Sequence, residues 1–140
     1  MQRLTQEILR LCREYGECRV EAERMEEARR VKNALESVCS MARQRLDISD
    51  PALLLALLDA CEVTRDEGML QEVLDVVGRN LDRLAVSVES VKLLACCYYY
   101  VEEEECAERA RRMLEELRKM GRRIGGCGDN FGGIDLRFRL

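Results

Sequence analysis

The chain has 140 residues, 27 of them acidic and 23 basic, so that its net charge is −4, with 47% apolar and 36% charged side chains. This balance gives no ground for a general attraction to nucleic acid or to an anionic membrane surface. The length suits one domain that buries a core without disulfide or metal staples. No apolar run approaches the length that spans a bilayer, and the opening "MQRLTQEILRLCREYG" has no long apolar centre of a signal peptide.

Eight cysteines and no histidine are present. None of the cysteines forms the close pairs of a structural zinc site, and most fall on apolar helix faces, where Cys acts as a small hydrophobe. The expectation is a cytoplasmic, reducing location, with no metal and no cofactor.

Helical periodicity runs through the chain. A first helix is predicted over 5–15, with Ile8, Leu11, Cys12 and Tyr15 on one face and Gly16 as its break. A second, long one is predicted over 18–46, with the stripe Met25, Ala28, Val31, Leu35, Val38, Cys39, Ala42 and Leu46. "SDPALLLALL" then places Asp50 as a cap and Pro51 at the first helical position, where no N–H is needed. The helix over 51–63 is apolar nearly all round and must be packed on several sides. An amphipathic helix over 69–84 follows. Ser87 caps another apolar helix reaching Val101, and a last amphipathic one spans 102–123, with Cys106, Ala110, Met113, Leu114, Leu117 and Ile124 inward.

The last four helices repeat a plan at an offset of about 37 residues, which carries Val73 onto Ala110, Val76 onto Met113 and Val77 onto Leu114. The fold class expected is all-α, about six helices in antiparallel hairpins, solenoid-like or bundled. The helical domain covers 1–124, and 125–140 holds a glycine-rich connector and a short extended segment.

Within 51–120, Leu93, Cys96, Cys97 and Tyr100 on one helix, with Ala110 and Leu114 on the next, resemble the tetratricopeptide repeat. The resemblance implies a helical-hairpin scaffold that binds other proteins.

Candidate sites follow. Glu102–Glu105 reads as the first turn of the last helix, complementing its dipole. Tyr98, Tyr99 and Tyr100 spread around a helix, so at least one should be core while others lie in a groove with hydroxyls at the rim. The arginines 109, 111, 112, 118, 122 and 123 are offset by Glu108, Glu115 and Glu116, giving a solvated face. Cys127, between glycines, is the candidate reactive thiol. In "IDLRFRL" the apolar Ile134, Leu136, Phe138 and Leu140 alternate with Asp135, Arg137 and Arg139, the period of a strand and not of a helix.

The function expected is a non-enzymatic protein-interaction module, an adaptor or scaffold. Ile134, Leu136, Phe138, Leu140, Tyr98 and Tyr99 would meet a partner or a second copy. Two alternatives stand beside it: a helical nucleic-acid-associated subunit using Arg-rich helix faces, and a small thiol-dependent enzyme.

Overall fold

The computed structural model describes residues 2–123. Among them lie six α-helices and no strand: α1 (Gln2–Cys18), α2 (Met25–Arg43), α3 (Pro51–Thr64), α4 (Glu67–Arg79), α5 (Val88–Val101) and α6 (Glu104–Arg123). Short 3-10 turns occupy Ala22–Arg24 and Leu81–Arg83. The all-α architecture is as the periodicity predicts. The connector, Ile124 and the segment 134–140 lie outside the described residues. None of the described helices is long and apolar enough to cross a membrane. Contacts group the chain into two compact units that divide after Val76.

In the first unit α1 packs on both α2 and α3, and α2 on α3. The core takes Ile8, Leu11 and Cys18 from α1, and Ala28, Leu35, Cys39 and Ala42 from α2. α3 contributes Leu53, Leu54, Ala56, Leu57, Leu58, Ala60 and Cys61, which is why its sequence is apolar on nearly every face. Its start is fixed by the Asp50 carboxylate, which accepts from the Leu53 N–H at 3.2 Å, with Pro51 in the first turn. It ends at Arg65, whose left-handed backbone (φ 58°) lets its N–H donate to the Cys61 carbonyl. Asp66 then accepts from the Met69 N–H at 3.0 Å and opens α4.

Several helix boundaries differ from the sequence expectation, those of α1 and α2 most of all; α2 also ends at Arg43 and not at Leu46. Gly16 does not break α1, which runs on to bury Cys18. One helical glycine costs only about 1 kcal/mol, less than burying an extra turn returns. The long second helix begins at Met25 after the 3-10 turn, and Met25, 58% exposed, stands outside the core.

In the second unit α5 packs on α6. The Ser87 hydroxyl accepts from the Ser90 N–H at 3.1 Å, capping α5 as predicted. Val91, Leu93, Leu94, Ala95 and Cys97 of α5 are buried with Cys106, Ala107, Ala110, Met113 and Leu114 of α6. The helix predicted over 69–84 stops at Arg79, and the chain continues through the 3-10 turn. Arg109 of α6 holds that turn, donating from Nε to the Leu81 carbonyl (3.3 Å) and from Nη2 to the Leu84 carbonyl (3.2 Å).

The glutamate run is split, which corrects its assignment to a single helical turn. Glu102 closes α5 in a left-handed conformation (φ 52°), and only Glu104 and Glu105 fall in the first turn of α6. Those two still complement the helix dipole.

Candidate functional site

The three tyrosines follow from the 100° step of α5. Tyr99 projects outward, 64% exposed, while Tyr98 and Tyr100 are half-buried. None of them is a core residue, contrary to the expectation that one would be. The rings of Tyr99 and Tyr100 meet edge to face with centroids 5.3 Å apart, an arrangement that holds both at the surface of α5. Of the two tyrosines expected to meet a partner, Tyr99 is exposed and Tyr98 is half-buried. Ile134, Leu136, Phe138 and Leu140 lie outside the described residues.

A groove that the sequence reading missed lies in the first unit, between the start of α1 and the end of α2. Its volume is about 560 Å³, and its lining comprises Arg3, Leu4, Glu7, Val38, Met41, Gln44 and Arg45. Met41 is 58% exposed, Val38 is half-buried and Ala34 is exposed. With Val31 these residues recur at i, i+3, i+7 and i+10 on one side of α2, beside the buried line Ala28–Leu35–Cys39–Ala42. The signal was in the sequence: α2 carries more apolar positions than one contact with the core requires.

The second unit has a polar cleft of about 400 Å³, lined by Gly78 to Arg83 on one side and by Glu105, Glu108, Arg109 and Arg112 on the other. Arg79, Arg83 and Arg112 bring positive charge there, and Asp82, Glu105 and Glu108 offset it. Arg111, which the sequence groups with them, is paired with Glu104 at 2.7 Å.

The described cysteines are all free thiols, five of them buried. Burial pushes the thiol of Cys12 up to about 12, that of Cys39 to about 11 and that of Cys61 to about 12. Burial also raises Cys97 and Cys106. Such thiols stay protonated near neutral pH and are poor nucleophiles. Among the described residues no three Cys, Asp or Glu side chains are grouped to hold a metal ion. Cys127 lies outside the described residues.

These features define an all-α protein of helical hairpins with uncovered apolar surface on α2 and α5. No protein-family model, curated protein or solved structure matches the chain.

Proposed function

We propose that the chain is a non-enzymatic interaction module, a cytoplasmic helical-hairpin scaffold similar in plan to tetratricopeptide repeats, that holds protein partners or a second copy. The observation that carries this reading is the apolar line Val31, Ala34, Val38 and Met41, which α2 leaves outside the core it already serves. Apolar surface of that kind gains free energy when a partner covers it. Tyr99 is the corresponding feature of the second unit, and "IDLRFRL" supplies a contact peptide with Phe138 and Leu136 as anchors. Buried, uncrosslinked thiols accord with a reducing compartment.

The test removes 134–140 and, separately, introduces Phe138→Asp and Tyr99→Glu. The expected result is unchanged helical circular dichroism with a lower oligomer mass by light scattering or a weaker hold on a captured partner. Unchanged mass and affinity in all three variants would refute the contact role.

The cleft with Arg79, Arg83, Arg109 and Arg112 supports a second reading, an Arg-mediated association with nucleic acid. A mobility shift that weakens steeply between low and high salt would favour it. Three carboxylates in the same cleft place it second.

A further inference from the structure

We infer that the groove between α1 and α2 takes an amphipathic helix of a partner protein, one whose apolar stripe is bordered by acidic residues. The inference rests on the interaction-module reading and assigns its occupant.

The apolar floor is helical in register. Val38 and Met41 of α2 line the groove with Leu4 of α1, and Val31 and Ala34 continue the same line along α2 beyond it, roughly 15 Å from Val31 to Met41 at 1.5 Å per residue. A partner helix of about three turns has matching anchors at i, i+3 or i+4, and i+7. The groove lies beside the core and includes none of its buried residues, so filling it requires no rearrangement of α1 or α2.

The charge around this floor decides the occupant. Arg3 and Arg45 line the groove, and Arg30 lies on the same side of α2, four residues before Ala34. Arg3 and Arg45 have no ion-pair partner among the described residues, whereas Arg30 lies within electrostatic reach of Glu27. One carboxylate, Glu7, shares the groove lining with Arg3 and Arg45. Glu7 is held by Arg10 of α1, and Glu27 is held by Arg24, whose Nε and Nη2 donate to it at 2.9 and 3.0 Å. The lining of the groove thus carries two arginines against one glutamate, and that glutamate is already paired with Arg10.

A second copy docking through the same groove would bring a lining with the same excess of arginine against it, which offers no charge complementarity. The chain's segment 134–140 is also a poor match, having two arginines against one aspartate. An acidic-bordered helix satisfies both the floor and its rim.

The experiment pans a phage-displayed library of amphipathic helical peptides against the full chain. The best peptide is then synthesised and its affinity measured by fluorescence anisotropy. Enriched peptides are expected to share apolar residues at i, i+3 or i+4, and i+7, bordered by Asp or Glu, with affinity falling as salt rises. Met41→Asp, at an exposed position that leaves the core intact by circular dichroism, should weaken binding roughly tenfold or more, about 1.4 kcal/mol. Arg3→Glu combined with Arg45→Glu should shift preference to the same peptide carrying Lys borders.

Basic-bordered or unenriched peptides, or binding indifferent to these substitutions, would overturn the inference. So would a fall in the chain's own mass on Met41→Asp, which would make a second copy the occupant. Loss of association on deleting 134–140 or on Tyr99→Glu is read independently, so the broader module reading can survive when this one fails.

Discussion

Arg43 of α2 and Glu72 of α4 form a two-pronged ion pair, the Arg43 Nε donating to Glu72 at 3.0 Å across 29 residues of chain. The Arg43 guanidinium also lies 3.7 Å from Asp66, so one cation serves two carboxylates around the α3–α4 turn. Its hydrogen bonds hold the Glu72 carboxyl below its ordinary 4.5. A depressed carboxylate stabilises the fold above the unfolded pKa, and that contribution is lost as pH falls through the folded value. Both side chains are partly exposed, so solvent limits the coupling to about 0.5–1 kcal/mol. A double-mutant cycle of Arg43→Ala and Glu72→Ala, read by urea denaturation, should show that coupling at pH 7 and progressively less of it as the pH is lowered below 4.5.

Leu57 is fully buried at the middle of α3, which packs against both α1 and α2. Replacing it by alanine removes burial and leaves a cavity that neighbouring helices cannot close. Leu57→Ala should therefore destabilise by roughly 2–5 kcal/mol. An unshifted denaturant midpoint would contradict the central position of this helix.

What was legible depended on whether a backbone event had a side-chain signature. Asp50–Pro51 and Ser87 announced the starts of α3 and α5, because capping chemistry needs those residue types. The apolar faces of α3 and α5 likewise announced their burial. The end of α5 at Val101 was legible from where its apolar run stops, but the turn after Cys18 and the backbone conformation at Glu102 were not announced. The chain reverses there through ordinary residues, at Glu102 in a left-handed conformation that glycine or asparagine usually marks. The end of α4 was missed because Leu81 and Leu84 keep the apolar spacing through the 3-10 turn, although Gly78 and Asn80 stood there as punctuation. Arg109 looked like one more surface arginine, since its carbonyl partners lie 28 and 25 residues away. The apolar groove needed the structure to separate Val38 and Met41 from the core line of α2.

The thiols give a prediction at alkaline pH. Cys12, Cys39 and Cys61 are held near 12, 11 and 12 by burial, against an ordinary value of 9.0. In the unfolded chain they ionise first, so the folded state is favoured fully below about pH 9 and loses that advantage as pH rises toward the folded values. Stability by urea titration should decline between pH 9 and 11. Replacing the three by alanine or serine should flatten that decline. Native thiols at pH 8 should react with iodoacetamide far more slowly than urea-unfolded ones. Equal rates would show that these sites are open to reagent.

The left-handed residues Arg65 and Glu102 allow a gain in stability to be predicted. Each ends an apolar helix with φ between 50° and 60° (58° and 52°), donating its N–H to Cys61 and Tyr98 respectively. An L side chain there crowds the following carbonyl by roughly 1–2 kcal/mol. Glycine removes that strain and keeps the N–H, while its greater freedom in the unfolded chain returns part of the gain. Arg65→Gly and Glu102→Gly should each raise stability by about 0.5–1 kcal/mol, with the urea midpoint as the measure. Arg65→Val and Glu102→Val, β-branched in the same conformation, should lower it. Glycine variants no more stable than the parent, together with tolerated valines, would mean that these turns relax to another backbone conformation and that the helix ends are not fixed by these two residues.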